Sequence, residues 1–499
     1  MWLVRRVLNK RRVPPMAVLA GAERRERCLM IVPIVVGAAL FMQFLDSTAI
    51  VIVLPEIAAS LNTDPANLSL AITIYFLMVA IFIPASGWAA DNYGARTVFQ
   101  VALAVFTLSS VACGLSSTFT ELIIARAVQG SAAALMTPVA RLILLHSFPR
   151  SDLVRVMTWF SYPALIGPML GAPLGGFLAT YYSWHWIFFI NLPVGVIAII
   201  ISAITVKNYR SAEPRPFEWV GFMLIAATVT AAIGAMQSLG GGSARHYALA
   251  AGLALVAGAF GLLTWRHARG HPQPLLDLSL QRLPTFRLSN GGGFLYRVAL
   301  NGTLMLLPML VQTGFGMTAA QSSIFALCGA VGLFLIRPRV RHILQRFGFR
   351  STLFWNGLAS AASVAVFCVF TATTPLVLTG IGFLICGISR SLQYMSLSTV
   401  VFSDVPAAQS SRATSIVSMA EQFAGAMGTS LAGIVLQLSV LSRGVDSNAM
   451  NAADIQYGLA AMAAVALLSA LVVLKLHPDA GMEVSGKKSA KLGVTNKEG

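Results

Sequence analysis

The chain has 499 residues, 57% of them hydrophobic and only 11% charged, with a formal net charge of +17 and a mean hydropathy of +0.76. Soluble domains carry about 25% charged residues, so this composition excludes an ordinary soluble protein. Lipid leaves only helices or a closed barrel as spanning structures. The apolar runs Ile31 to Phe44, Val194 to Val206 and Leu459 to Leu474 are continuous rather than alternating, which excludes the barrel.

In chain order, a basic stretch (1–29) with eight Lys or Arg comes first. It lacks a compact apolar core followed by a small-residue cleavage site, and so reads as a cytoplasmic tail rather than a signal peptide. Pro14-Pro15-Met16 leaves Met16 open as an alternative start. Apolar runs then predict fourteen spans: 30–54, 70–89, 97–115, 120–144, 156–178, 186–206, 219–238, 246–265, 290–312, 322–340, 351–370, 376–401, 414–438 and 457–475. The tenth is the weakest, because it runs straight into Arg337, Arg339 and Arg341. With both ends cytoplasmic, 29 of the 35 Lys and Arg fall inside, Arg337 to Arg350 among them. Arg245 and Arg443 fall outside, and Arg126, Arg141, Arg297 and Arg390 lie within spans. That asymmetry obeys the positive-inside rule and accounts for the +17 without nucleic acid.

An internal repeat supports two six-helix halves. Asp91-Asn92-Tyr93-Gly94-Ala95-Arg96 follows the second span, and Gln345-Arg346-Phe347-Gly348-Phe349-Arg350 follows the tenth, 254 residues on. The expected division is a bundle at 30–206, a linker with two extra helices at 207–289, a second bundle at 290–475 and a tail at 476–499. Repeated halves with a binding site between them are a common transporter design.

Several polar residues sit where lipid should forbid them. Asp46 lies about sixteen residues into the first span. A bare carboxylate there costs roughly 2.5–3.5 kcal/mol, so it must face a cavity, find a partner or stay protonated. Arg126, Gln129 and Gly130 share one helix face. Arg141, near the inner end of the same helix, reads as a side chain snorkelling to the surface. Gly167, Gly171 and Gly175 are four apart, a smooth face for close packing, while Pro168 and Pro173 perturb the backbone ladder. In the second half, Glu421 should pair with Arg297 or Arg390, since opposite charges at membrane depth seek each other.

Other patterns fail. The five cysteines have no CxxC spacing and the seven histidines are dispersed, so no metal site is indicated. Gly481 to Lys488 nearly spells a phosphate loop, but Lys488 stands where Ser or Thr should bind magnesium. No catalytic constellation is present, and the chain does not read as an enzyme.

Four segments carry a family resemblance: Leu45 to Val51 with Leu54-Pro55, Gly87 to Arg96, Arg126 to Gly130, and Gly167 to Gly176. Trp184 to Pro193 is similarly typical. Together they resemble the fourteen-helix drug:proton antiporters of the major facilitator superfamily (EmrB/QacA type), within it the MdtD-like branch. The resemblance implies that Asp46 carries proton coupling and that Arg126 organises a polar network with Gln129. It implies that the Gly167–Gly176 segment, with Gly171, Pro173 and Gly175, is the antiporter motif that limits leakage. Gly87, Asp91, Gly94 and Arg96 would form a cytoplasmic latch, Asp91 meeting a helix N-terminus or an arginine. Asn92 and Ala95 replace the family's basic residues, and Gln345 replaces the acid in the second copy, so the latch is expected mainly on the amino-terminal side.

The expected function is proton-coupled export of small amphipathic organic compounds across the bacterial cytoplasmic membrane. The proton gradient would be the energy source, with no cofactor, and the expected partners are a small-molecule substrate, protons and the lipid bilayer. A monomer is expected. One rival is export of a specific anionic metabolite, with Arg297 and Arg390 as anchors; another is a non-transporting sensor or scaffold.

Overall fold

The computed structural model describes residues 16–61, 63, 65–211, 216–239, 244–272, 274–443 and 451–485. Every regular element among them is helical: α1 (Met16–Ser60), α2 (Pro65–Tyr93), α3 (Ala95–Leu115), α4 (Phe119–Ser147), α5 (Leu153–Tyr181), α6 (Trp186–Phe189), α7 (Asn191–Thr205), α8 (Trp219–Leu239), α9 (Ala244–Gly270), α10 (Pro284–Met309), α11 (Ala319–Ala365), α12 (Leu376–Val400), α13 (Ser410–Ser442), α14 (Ala452–Val473) and the short α15 (Met482–Ser485). Lys487 and Lys488 of the failed phosphate loop lie outside the described residues.

Eleven helical segments among the described residues are long and apolar enough to cross a membrane. Three helices begin on capping boxes, Thr118 with Glu121, Thr318 with Gln321, and Asn451 with Asp454. Each satisfies backbone N–H groups that a helix start leaves open.

The two copies of the repeat turn the chain in the same way. Gly94 has φ 91° and separates α2 from α3, and Gly348 has φ 77° and breaks α11 into two arms. A side chain at either position would be strained by the left-handed backbone. At Gly94 a Cβ would also overlap the Asn208 amide, which would have to move away. Arg96, just past that turn, donates at 3.4 Å to the carbonyls of Ala203 and Val206 at the end of α7. A cation is favoured there by the helix dipole.

Helices α1 to α7 pack on one another, chiefly α1 on α5, α2 on α4 and α3 on α4, and α10 to α14 pack likewise. The pair α8–α9 lies against α2 and α13. Glu218 ties that pair together: it accepts from Leu275 N at 2.6 Å and Gly221 N at 2.9 Å and pairs with His267. The apolar surface turns outward, with Ile204, Leu255, Val369 and Val377 all more than two-thirds exposed. In water such a belt would aggregate; in lipid it needs no cover. The halves touch through α2, α4 and α5 against α11, α12 and α13.

Candidate functional site

The first buried network joins three helices, α1, α2 and α4. Arg126 Nη1 on α4 donates to Asp46 Oδ2 on α1 at 2.5 Å and to Gln129 Oε1 at 2.8 Å. Gln129 Nε2 donates to the other carboxylate oxygen at 3.2 Å, and Arg126 Nε donates to Ala71 O on α2 at 3.3 Å. The guanidinium stands 4.5 Å from the centre of the Tyr75 ring, within cation–π range. Asp46, Arg126 and Gln129 are all buried. Of the three outcomes open to a carboxylate at membrane depth, Asp46 has taken a partner.

Close helix packing holds this network in place. Along α5, a Cβ on Gly167 would come within 2.9 Å of Phe41 O, one on Gly171 would overlap Thr48 Oγ1, and one on Gly175 would meet Ala49 O at 3.1 Å. The glycine face therefore lies on α1 to both sides of Asp46. Pro173 lies between Gly171 and Gly175 on α5, and Gly176 follows directly after them. At Gly130 a Cβ would overlap Tyr75 O, so α4 meets α2 backbone to backbone at the same depth.

The second network joins the halves. Glu421 on α13 pairs with Arg297 on α10 at 2.9 Å and with Arg141 on α4 at 2.7 Å. Tyr394 OH donates to Glu421 Oε1 at 3.5 Å. Arg141 Nη1 also reaches Ser418 Oγ at 3.4 Å. These groups stand in the wall of a cavity of about 1060 Å³, to which α8 contributes Ile233, Met236 and Gln237. Asp46 and Arg126 are not in that wall, whereas Tyr75 and Pro168 are. Tyr75 thus connects the buried network to the cavity.

The cavity wall reaches from Ser418 to Gln437 along α13, a helical rise of about 28 Å. At the Gly94 end of the molecule the halves are closed. Ser411 Oγ donates to Asp91 Oδ2 at 2.8 Å, the hydroxyls of Ser86 and Ser415 lie 3.0 Å apart, and Arg150 donates to Val405 O at 2.8 Å and to Ser403 O. Gly87 permits this contact, since its Cβ would come within 2.9 Å of Ser411 O. Asp91 therefore meets the start of α13, and the neighbouring Arg412 pairs with Asp277. Burial opposes the charge on Asp277, but hydrogen bonds from Ser279 and the Arg412 contact outweigh it and hold the carboxyl below its usual range.

Residues 36–429 match the family model of the Major Facilitator Superfamily. The chain belongs to the major facilitator superfamily. Relatives that carry the provisional name multidrug resistance protein MdtD are 35% identical over 460 residues in Klebsiella pneumoniae (strain 342), covering 90% of this chain and 94% of the relative. The corresponding protein of Pectobacterium atrosepticum is 34% identical over 450 residues, covering 89% and 95%. Among solved structures, the human organic anion transporter MFSD10 (TETRAN) superposes with a TM-score of 0.63 at 16% identity, covering 89% of this chain and 98% of that one. The proton:xylose symporter XylE bound to 6-bromo-6-deoxy-D-glucose gives 0.61 at 13% identity, covering 92% and 98%. At those identities the structural likeness concerns the fold. The chain is thus an MdtD-like major facilitator, a multi-pass transporter of the bacterial inner membrane.

Two arginines of this major facilitator, Arg141 and Arg337, differ from their sequence expectations. Arg141 does not snorkel; it is buried and crosses from α4 to Glu421 on the other half. Of the two alternative partners for Glu421, Arg297 makes the expected pair, and Arg390 has no carboxylate within ion-pair distance among the described residues. Arg337 is not part of an inside loop. The first arm of α11 continues through it, and it is buried in the cavity wall with its guanidinium 4.9 Å from the Tyr162 ring centre. Its spacing from Ala330 and Leu333, which share that wall, is the helical period that could have located it.

Proposed function

We propose that this major facilitator is a proton-coupled antiporter that exports small amphipathic organic compounds, a multidrug efflux pump working by alternating access. The observation that carries this reading is the sealed Asp46–Arg126–Gln129 network, set one side chain away from a large cavity shared by both halves. A carboxylate paired to an arginine in a dry site can exchange that partner for a proton, and the exchange can bias a two-state packing. The provisional name of the MdtD relatives supports multidrug substrates. The mostly apolar cavity offers Met157, Met169, Met236 and Met305, adaptable side chains suited to varied ligands.

Counting α5 and the two arms of α11 beside the eleven apolar segments supports a reading of fourteen spans. Both termini then lie in the cytoplasm, with bundles at 30–206 and 290–475, the α8–α9 pair in the linker 207–289, and tails at 1–29 and 476–499. The closed Asp91–Ser411 end is the cytoplasmic one, and the state is outward-facing. A single chain encloses the cavity, which supports a monomer, and the proton gradient is the energy source. In a cysteine-free background, a thiol introduced at Ser243 (outside the described residues) should react with an impermeant reagent on intact cells, and one at Ser211 should not. Labelling of Ser211 would remove the fourteen-span topology.

Transport is tested in inverted vesicles whose lumen has been acidified by respiration. Adding a transported compound should release lumenal protons, read as recovery of a pH-sensitive dye, and only in vesicles that contain the protein. No release across a panel of cationic, neutral and anionic amphipaths, with the protein correctly inserted, would contradict antiport.

A further inference from the structure

The charges in the cavity wall do not balance. Among the described residues, four arginines stand there, Arg141, Arg297, Arg337 and Arg390, against a single carboxylate, Glu421. Glu421 is already shared by Arg141 and Arg297. Arg337 and Arg390 have no carboxylate within ion-pair distance among the described residues. Arg337 is 4% exposed, donates only to a backbone carbonyl, Thr158 O at 3.3 Å, and leaves its Nε without an acceptor. A buried cation in an apolar wall normally has a counter-charge, because desolvating it unpaired is expensive.

The two arginines lie on helices that pack on each other. Ser391 Oγ, next to Arg390 on α12, donates to Leu333 O on α11 at 3.1 Å, and Arg337 is one turn beyond Leu333. Around them the wall is apolar and aromatic, with Leu40, Phe44, Met157 and Ile434 on facing helices. Among the described residues, the titratable groups around the site are the other two arginines, Glu421, Tyr394 and Tyr75 in the wall, Tyr162 against Arg337, and Tyr296 and Cys386 beside Arg390.

We propose that Arg337 and Arg390 form a subsite for the acidic group of an amphipathic organic anion, a carboxylate or sulfonate whose apolar body fills the rest of the cavity. The proposal rests on the export reading for its transport consequence, but the binding site stands on the wall itself. A guanidinium offers planar paired donors that match a carboxylate, and a low-dielectric wall strengthens the pairing. A cationic ligand would instead enter a cavity with three uncompensated positive charges. Arg337 belongs to α11 and its carbonyl partner Thr158 to α5, in the other half. An anion held there is therefore in contact with the seam that must open and close.

The test compares three probes with one apolar body, 1-naphthoate, 1-naphthamide and 1-naphthylmethylammonium, by equilibrium binding to the full chain in detergent and by transport into inverted vesicles. Naphthoate should bind at least about tenfold more tightly than naphthamide, the scale of one charge-assisted contact. Arg337→Gln with Arg390→Gln should remove that advantage while naphthamide binding stays within about twofold, which also reports that the variant is folded. Lysine at both positions should restore most of it. Folded protein that binds the ammonium best, or that loses all three probes equally in the glutamine variant, overturns the proposal. Arginine-dependent naphthoate binding without proton release would sustain the subsite and contradict the export reading; ammonium-driven proton release with no naphthoate binding would do the reverse.

Discussion

Replacing Arg126 with alanine is expected to destabilise the protein by about 3–5 kcal/mol, the usual penalty for stranding one member of a buried ion pair. Both oxygens of Asp46 accept from this network, Oδ2 from Arg126 and Oδ1 from Gln129, and all three residues are buried. Without the guanidinium, a carboxylate is left in a dry helix interface, and Ala71 O and the Tyr75 face lose their cation as well. The double variant Asp46→Ala with Arg126→Ala should be more stable than Arg126→Ala alone, because it removes the stranded charge. Unfolding of the purified variants in mixed micelles measures both differences. A single variant as stable as the parent would mean that water reaches Asp46, and the sealed network would have to be given up.

The second large effect is expected at Glu421. Its replacement by alanine leaves Arg141 and Arg297 facing each other across the two halves with their shared carboxylate gone. The expected loss of stability is smaller than at Arg126, about 2 kcal/mol, since this group borders a cavity and is partly solvated. Transport should suffer more than stability. Arg141 is the half of the pair that belongs to α4, and under the proposed alternating access its contact with α13 would be one of the bridges made and broken. Loss of proton release together with a modest fall in melting temperature is the expected result for Glu421→Ala. Adding Arg141→Gln should recover stability but not transport. Full transport by Glu421→Ala would reduce the network to a helix-packing contact.

How far the sequence could be read depended on whether each signal was local. Asp46, Arg126 and Gln129 stood out because two of them share a helix turn and the third is an acid at membrane depth, where few alternatives to pairing exist. The same depth rule called for an arginine opposite Glu421 but left Arg297 and Arg390 as alternatives, of which Arg297 makes the pair. The turns at Gly94 and Gly348 were visible as a repeat, and both have the left-handed backbone that only glycine tolerates easily. Arg141 was misread because its partner lies 280 positions away on the other half, and nothing within α4 announces a carboxylate there. Arg337 was hidden by company: Arg339, Arg341, Arg346 and Arg350 make the stretch look like a loop, yet the helix carries the first of them into the cavity wall. Cavity shape depends on how two bundles and the α8–α9 pair meet, which no single helix pattern encodes.

The claim on which the account turns is that Asp46 couples substrate exit to proton entry. The most direct measurement is the ratio of protons released to substrate accumulated in inverted vesicles, compared between the parent protein and Asp46→Asn. Asparagine keeps the size of the side chain and can still accept from Arg126, so the fold should survive. The account predicts substrate binding within a fewfold of the parent, no proton release, and no substrate accumulation against a gradient. Proton release and uphill accumulation that persist in Asp46→Asn would contradict it.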